Sequence, residues 1–520
     1  MSTGDLVEKN SPYVLGIDLG TSTSIVSVYR RGRPEVLEVF GQRIVPSVVH
    51  YRKEAEPLIG VQAKRRALID PESTVVSIKR SMGDPEYRRE INGQPVKPED
   101  VSALILEYLK NGAQEQGTLI GTVKYAIVTI PANFNNNQRE ATLQAGRAAG
   151  LEILRLVEEP VAAAIAYGFG RDRDQTIMVY DLGGGTFDVC ILKVEATSGG
   201  VPSFAVLGKA GVPELGGDDF DHALMKLLAA AIVKDGGPDV LDLKKDQGIS
   251  RKKLRDVQQV LKEKAEEAKI ELSEAESASI DIANFIKDES GREFHLSVEI
   301  TRAEFEAAIQ PLVDKSRDCI VQALTEAKVT ADDIDRIILV GGSTRSPCIR
   351  RLVTEMFGKE PYGDIDPGTA VSQGAAILGA TFELPGEKPA EDQVEAIAET
   401  NTTSHFLGIE TQGQRFSTIL EKGREIPCEN SRPYATSQDN QPEIRITIFQ
   451  FPAATDVIDM NIPGSACLGE FHLGPLPASP KGRIQVDVKF SIDSSGVLKV
   501  SANSSGAGGQ LSHELEVRVT

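Results

Sequence analysis

The chain has 520 residues, enough for about three domains at roughly 150 residues each. Apolar residues make up 40% and charged residues 26% of the sequence, the balance of a globular protein. The formal net charge of −19 disfavours nucleic acid and anionic membranes as partners, because phosphate groups are bound by clustered Lys and Arg. No apolar run approaches the roughly 18 residues of a membrane-spanning helix, and the N-terminus has no apolar signal core.

The cysteines and histidines carry no metal or disulfide pattern. The five cysteines are scattered without a C-x-x-C pair, and the six histidines form no H-x-x-x-H pair. A disulfide framework or a zinc site is therefore not expected. We expect the cysteines to be small core residues and the compartment to be the reducing cytoplasm.

Short apolar runs alternate with helical patterns up to about Phe382. These runs end at Asp, Pro or Gly and predict buried strands of an α/β sheet. They are Val14–Asp18, Ala126–Ile130, Ile177–Asp181 and Ile337–Val340. From Lys252 to Ser273, apolar residues recur at spacings of three and four between charges, which predicts one long amphipathic helix.

Two of the predicted strands end in a similar motif. Asp18-Leu19-Gly20-Thr21 and Asp181-Leu182-Gly183-Gly184-Gly185-Thr186 predict two hairpins, one in each lobe of a duplicated fold, that face each other across a cleft. Glycines let backbone N–H groups approach an oxyanion, Thr and Ser hydroxyls can donate to phosphate, and a carboxylate can hold Mg²⁺. One copy alone is explained as well by an ordinary turn, but two copies in the same context favour phosphate binding.

Other phosphate and hydrolase motifs are missing from the sequence. It contains no Walker loop, no G-x-S-x-G and no G-x-G-x-x-G. A third glycine-rich turn, Gly341 to Pro347, follows a predicted strand and precedes a predicted helix. Such a turn gives close access to a nucleotide, but a plain strand-to-helix connection explains it equally well.

The character of the sequence changes after the last helical pattern. Residues 383–404 are rich in Glu, Pro, Ala and Thr and predict a linker. Beyond them apolar and polar residues alternate with a period of two, as in Ile444–Ile448, Ile484–Phe490 and Leu515–Val519. This alternation predicts an antiparallel β domain.

These segments resemble, in order, the signatures of the 70-kDa heat-shock chaperone family of the bacterial DnaK type. The resemblance extends from about Leu15 to Val519 and includes GIDLGTSTS, VEEPVAAAIAYG, DLGGGTFDV, LVGGSTRSP and FSIDSSGVLKVSA. It implies a two-lobed actin-like α/β ATPase domain with a duplicated ribonuclease H-like core (1–383), an interdomain linker (384–404) and a small antiparallel β-sandwich peptide-binding domain (405–520). It also implies an ATP-dependent chaperone of the stress response that binds unfolded or extended apolar peptides.

The resemblance assigns roles around the cleft. The implied cofactors are ATP or ADP with Mg²⁺, with K⁺ as a further cation, and Asp18 and Asp181 match the Mg²⁺ ligands. The matched catalytic residues are Lys79, which would hold the γ-phosphate and orient the attacking water, with Glu159, Asp181, Thr186 and Asp188. The matched nucleotide contacts are Gly20, Thr21, Ser22, Thr23, Gly183, Gly184, Gly185, Thr186, Gly216, Gly217, Glu266, Lys269, Ser273, Gly341, Gly342, Ser343 and Arg345.

The resemblance also implies a peptide groove and partners. The groove positions are Ile409, Gln412, Arg415, Tyr434, Ile444, Ile446 and Leu476. Gln412 and Arg415 are polar at positions that are apolar, and arch over the peptide, in the bacterial relative. The implied partners are client peptides, a J-domain co-chaperone and a nucleotide-exchange factor.

Three departures from the family leave an alternative open. Gly368-Thr369 replaces an Asp-Glu pair, the linker stretch from Ala396 to Asn401 is polar where the family has leucines, and no helical lid follows the β domain. We therefore expect little burial of the linker and fast peptide exchange. A nucleotide-sensing adaptor with one fixed partner remains an alternative, whereas a small-molecule kinase or a filament protein on the same fold would not need the β-rich tail.

Overall fold

The computed structural model describes residues 11–115, 119, 121–168, 173–195, 203–242, 249–287, 292–363, 365–384, 394, 397, 399–462, 465–493, 496–505 and 511–516. Among the features predicted above, Ala396, Ala398 and the last residues of the predicted strand Leu515–Val519 lie outside these ranges. None of the helices in the described part of the chain has the length and apolar character to cross a membrane.

The first lobe is an α/β unit. Its strands are β1 (Val14–Leu19), β2 (Thr23–Arg30), β3 (Arg33–Val36), β4 (Val45–Pro46), β5 (Val49–His50), β6 (Leu58–Ile59), β7 (Thr74–Val75), β8 (Arg89–Ile91), β9 (Gln94–Val96), β10 (Tyr125–Ile130) and β11 (Glu152–Glu158). Its helices are α1 (Val61–Ala67), α2 (Pro98–Glu115) and α3 (Asn136–Ala148). The main sheet has the order β11-β10-β1-β2-β3, with β4 also paired to β2.

The second lobe follows after a helix that starts directly behind β11. Its helices are α4 (Glu159–Gly168), α5 (Gly217–Lys234), α6 (Arg251–Glu274), α7 (Arg302–Ala327), α8 (Pro347–Phe357) and α9 (Ala370–Ala380). Its strands are β12 (Gln175–Leu182), β13 (Phe187–Glu195), β14 (Ser203–Val212), β15 (Ser277–Lys287), β16 (Glu293–Thr301) and β17 (Arg336–Val340). The order β17-β12-β13-β14 repeats the pattern of the first sheet.

The duplication is visible in the strand directions. In each lobe an antiparallel hairpin, β1–β2 or β12–β13, has its first strand paired in parallel with a strand from far along the chain, β10 or β17. The D-L-G motifs lie at the two hairpin turns, as the sequence predicted. The apolar runs are the central strands, because a strand covered by helices on both faces is buried throughout.

Helices α4 and α9 connect the two lobes. They share one buried cluster with residues of both sheets, including Val14 and Ile127 from the first and Ile177 and Val340 from the second. The helices approach so closely that a Cβ on Gly374 would lie 1.7 Å from the Ala162 carbonyl oxygen. A small residue is therefore required at this crossing.

The last part of the described chain contains a β-sandwich. Two short strands, β18 (Glu399–Thr402) and β21 (Glu425–Ile426), belong to the sheet of the second lobe. The sandwich strands are β19 (Phe406–Thr411), β20 (Arg415–Leu420), β22 (Cys428–Ala435), β23 (Ile444–Phe451), β24 (Ala466–Leu473), β25 (Gln485–Ile492), β26 (Leu498–Ser505) and β27 (Leu511–Glu516). The two sheets have the orders β20-β19-β23-β24 and β22-β25-β26-β27. They enclose one apolar core that includes Ile409, Ile446, Val488 and Phe490.

The polar linker stretch is docked on the second lobe, which differs from the expectation of little burial. Strand β18 pairs in parallel with β14 and in antiparallel with β21, so the sheet of the second lobe continues into the β domain. Ile397 is only 7% exposed and belongs to the cluster between the lobes. Hydrogen bonds between the backbones of β18 and its neighbouring strands explain the docking. Every residue except proline carries a backbone N–H donor and a C=O acceptor, whatever its side chain.

Candidate functional site: the interlobe cleft

A cavity of about 460 Å³ lies between the lobes. Its walls come from both lobes and include most of the predicted nucleotide residues. Those that line it are Asp18, Gly20, Thr21, Ser22, Thr23, Lys79, Glu159, Asp181, Gly183, Gly184, Thr186, Gly217, Glu266, Lys269, Gly341, Gly342, Ser343 and Arg345. A cavity of this size is in the range of ligand pockets for small molecules.

The two hairpin turns meet at the floor of this cavity. A Cβ built on Gly184 would lie 2.0 Å from Ser22 Oγ, and one on Gly185 would lie 2.5 Å from the Thr21 methyl carbon. The turns are held from behind, since Ser47 Oγ donates to the Gly20 carbonyl at 2.8 Å. Their glycines are therefore needed for the approach of the lobes and for the exposure of backbone groups.

Two further backbone segments close around the second turn. The Gly217 N–H donates to the Gly183 carbonyl at 2.9 Å, at the start of α5, and Ser343 Oγ donates to the same carbonyl at 3.0 Å. Gly341 has φ of 84°, a conformation that favours glycine. A short 3₁₀ turn, Gly342–Arg345, precedes α8 within the glycine-rich segment that the sequence predicted as a turn between a strand and a helix.

One ammonium group lies among the carboxylates beneath the turns. Lys79 is 5% exposed and forms an ion pair with Glu159 at the start of α4. Its ammonium also lies 5.9 Å from the centroid of the Phe134 ring. The buried position is unusual for lysine and requires a charged partner.

The carboxylates outnumber this ammonium. Burial, and then the charge of Glu159, raise the pKa of Asp18 to about 7. Burial, with the charges of Glu159 and Glu158, raises the pKa of Asp188 to about 8, and burial with Glu159 raises the pKa of Asp181 well above its usual value. The cluster therefore has an excess of negative charge that a cation would stabilise.

This chemistry fits a hard divalent cation. Asp18 and Asp181 end facing strands and both line the cavity, and oxygen ligands are those Mg²⁺ prefers. Within the described residues no group of three His, Cys, Asp or Glu side chains could hold a metal ion by itself. Mg²⁺ typically binds one or two carboxylates together with waters and substrate phosphates, so the two aspartates are a sufficient protein contribution.

The outer part of the cleft is closed by ion pairs that sequence reasoning did not find. Lys64 of α1 donates to both carboxylate oxygens of Glu266 at 2.8 and 2.7 Å, from one lobe to the other. Lys269 pairs with Asp221 at 2.7 Å, and Arg345 with Asp366 at 2.8 Å. Glu266, Lys269 and Arg345, predicted to contact the adenosine, thus line the cavity while already paired.

Four predicted residues do not line the described walls of the cavity. They are Asp188, Gly185, Gly216 and Ser273. Asp188 lies behind the turn and accepts a 2.8 Å hydrogen bond from Asn133 Nδ2. Ser273 donates instead to the Lys269 carbonyl of its own helix at 3.1 Å. Spacing placed Ser273 on the right face of α6 but could not predict this local bond.

Five of the seven predicted groove residues lie on strands of the two sandwich sheets, whereas Gln412 lies in the β19–β20 turn and Leu476 follows β24. Ile409, Ile446 and Leu476 are buried, and Tyr434 and Ile444 lie at the margin of the sandwich core. Tyr434 Oη lies 2.9 Å from Ser417 Oγ, so a hydrogen bond connects β22 with β20. Gln412 and Arg415 are exposed at the β19–β20 turn.

The fold and the cleft define a class: two-lobed actin-like nucleotide-binding proteins joined to a β-sandwich. The Hsp70 protein family model matches residues 14–97 and 82–518. Three similar curated proteins are each named "Chaperone protein DnaK", from Thermotoga petrophila, Thermotoga maritima and Thermotoga neapolitana. Each is 40% identical over 499 residues, which cover 95% of this chain and 79% of the relative.

The chain therefore belongs to the Hsp70 family. Members of this family are ATPases, and the relatives named above are chaperones. The chain is an ATP-dependent molecular chaperone. Nothing in these comparisons favours the kinase, filament or adaptor alternatives. The family binds ATP and ADP, acts on client peptides and works with co-chaperones.

Proposed function

We propose that this chain binds Mg²⁺-ATP in the interlobe cleft and hydrolyses it with Lys79 as the central catalytic residue. The buried Lys79–Glu159 pair at the cavity floor is the observation that supports this proposal most directly. Two glycine-rich turns line the same cavity, and such turns suit the three phosphates of a nucleotide. The apolar and charged outer cleft, with Ile270, Lys269 and Arg345, suits the adenosine.

The chain's own groups would act mainly by position and charge. The ammonium of Lys79 holds the γ-phosphate and orients the attacking water, while Glu159 keeps that ammonium in place. Thr186 donates its hydroxyl to the phosphates, and Asp188, behind the turn, adds negative charge to the acidic cluster that a cation would neutralise. This division suits phosphoryl transfer, which depends more on positioning and neutralisation than on a strong base.

We assign Mg²⁺ to Asp18 and Asp181, with K⁺ as a further candidate cation in the same acidic cluster. Bound Mg²⁺ supplies charge neutralisation for the phosphates during transfer. Its charge would also restore the ionised form of the carboxylates whose pKa burial has raised. The excess of buried carboxylates over ammonium groups supports this assignment.

In the second domain we propose a groove for extended apolar peptides at Ile409, Tyr434, Ile444, Ile446 and Leu476. Polar Gln412 and Arg415 border it at the exposed turn. We further propose the boundaries 1–383, 384–404 and 405–520, a J-domain protein and an exchange factor as partners, and the cytoplasm as the location. The family membership supports these finer assignments.

The decisive experiment replaces the central ammonium. Lys79→Ala should lower single-turnover ATP hydrolysis about 100-fold or more, as loss of one preorganised charge-stabilising donor does. ATP affinity should change far less, because the turns and the outer cleft are retained. Lys124→Ala is the matched control, since Lys124 is half exposed in its pair with Glu152. Wild-type turnover by Lys79→Ala would show that Lys79 has no catalytic role.

A further inference from the structure

The β domain contacts both lobes. The Leu498 N–H donates to Asn136 Oδ1 at 2.7 Å on the first lobe, and Lys422 pairs with Glu326 at 3.5 Å on the second. A cavity of about 30 Å³ lies at this interface. It is lined by Phe134, Asn135, Asn136 and Arg139 of the first lobe, and by Thr402, Thr403, Ser404, His405, Leu407, Ile426, Gln450, Ile492, Gly496 and Leu498.

His405 lines this cavity together with Arg139, and three cations lie close enough to act on its imidazole. Lys209 lies on β14, Arg139 on α3 and Lys422 in the turn before β21, and each acts electrostatically on the imidazole. His405 itself is partly buried, directly before β19. The two lobe cations, Lys209 and Arg139, thus act on it only while the domains are docked, whereas Lys422 belongs to its own domain.

The acidic groups of the surrounding elements are engaged elsewhere. Glu158 of β11 accepts from both Arg139 and Lys209, and Glu326 pairs with Lys422. Asp493, between β25 and β26, accepts from the Val497 N–H at 3.0 Å. The charged neighbours of Lys422 in its turn, which are Glu421, Arg424 and Glu425, are exposed to solvent. Glu158 and Glu326 therefore pair with these cations and not with His405, so a protonated imidazole would be buried here beside cations.

We propose that His405 makes the docking of the β domain on the ATPase lobes sensitive to acid, so that protonation of its imidazole releases the β domain. The sequence alone does not suggest this role, because Lys209, Arg139 and His405 are far apart along the chain. The docked geometry brings them together. The proposal concerns regulation and does not depend on the residue roles proposed for the nucleotide or the peptide.

The direction in which pH changes the docking equilibrium follows from the difference in the pKa of His405 between the docked and the separated state. Burial, then the charges of Lys209, Lys422 and Arg139, lower the pKa of His405 to about 3 in the docked state, against an ordinary value of 6.5. The separated state therefore binds the proton more readily, and docking is strongest above about pH 6.5 and weakens as the pH falls. With an ordinary pKa in the separated state, the docking constant falls about 30-fold between pH 8 and pH 5.

Hydrogen–deuterium exchange of the full chain, saturated with a non-hydrolysable ATP analogue at every pH, measures this constant even when the separated state is rare. The informative amides are that of Leu498, which donates across the interface, and those of strand β18. After correction for the intrinsic exchange rate, their opening constant in the wild type should rise about 30-fold from pH 8 to pH 5. Amides of β10, inside the first lobe, report global stability for comparison.

Three variants separate this proposal from general acid effects. In His405→Leu the opening constant should not follow the histidine titration, although the cleft carboxylates still titrate. His472→Leu removes a half-exposed histidine of β24 and should behave as wild type. His405→Arg should already show a raised opening constant at pH 8. Equal pH dependence in wild type and His405→Leu, or wild-type protection in His405→Arg at pH 8, would overturn the proposal.

Discussion

Glu158 is a buried carboxylate that two buried cations share, and its removal should destabilise the lobes more than the removal of either cation. Lys209 Nζ donates to its two oxygens at 2.9 and 3.0 Å, and Arg139 Nη2 donates to Oε1 at 2.9 Å. All three side chains are at most 7% exposed. In so dry a site each charge depends on its partner, because water contributes little compensation.

The expected loss of unfolding free energy differs between removal of a cation and removal of the shared carboxylate. Removing one partner of a buried ion pair costs about 3–5 kcal/mol. Lys209→Met should lie near the lower end, about 3 kcal/mol, because Glu158 keeps Arg139 and the methionine fills the space. Glu158→Gln should lie near the upper end, about 5 kcal/mol, because two cations lose their shared carboxylate.

Urea unfolding followed by circular dichroism tests this order. With a slope of about 3 kcal/mol/M, the midpoints should fall by about 1 M for Lys209→Met and more for Glu158→Gln. Lys124→Met, which breaks a half-exposed pair with Glu152, should cost less than about 1 kcal/mol. If Lys209→Met destabilised as much as Glu158→Gln, or both matched the exposed control, the shared-carboxylate reasoning would be refuted.

Three further perturbations have defined outcomes. Mg²⁺-ATP affinity, measured by calorimetry, should rise as the pH is raised through about 7, because protons compete with the cation for Asp18, whose pKa is raised to about 7, and for Asp181, whose pKa is raised as well; a flat profile would contradict this. Ile444→Lys should weaken fluorescent-peptide binding at least about tenfold, whereas Arg445→Gln, on the opposite face of β23, should not. Thr400→Pro should make the linker sensitive to protease and Thr400→Ala should not, since only proline removes a backbone donor; equal cleavage of the two would contradict backbone docking.

The hairpins of the cleft were predictable because their signals are local. A buried strand, a glycine-rich turn and a terminal Asp are read within about ten residues, and they recur in both lobes. The sequence did not predict how closely the two turns approach each other. The contact between Gly184 and Ser22 depends on how α4 and α9 hold the lobes together, which no local pattern records.

The ion pairs of the outer cleft were not predictable from local sequence either. The period of α6 predicted a polar face with Glu266, Lys269 and Ser273, and the helix runs as expected. However, the partner of Glu266 is Lys64, 202 residues earlier in the chain. Side-chain type and helical period therefore indicated which residues face the cleft, but pairing across it depends on the tertiary fold.

The linker shows why apolar content is an incomplete guide to docking. Hydrophobic burial scales with apolar area, so the polar stretch from Ala396 to Asn401 was expected to bind the lobe weakly. A strand inserted between β14 and β21 gains hydrogen bonds on both edges, which depend on backbone register and hardly on side chains. Because β21 belongs to the β domain, this strand can pair on both sides only while that domain is in place. Docking of the linker and docking of the β domain must then occur together, and His405, which follows β18 by three residues, lies where a change of charge acts on both.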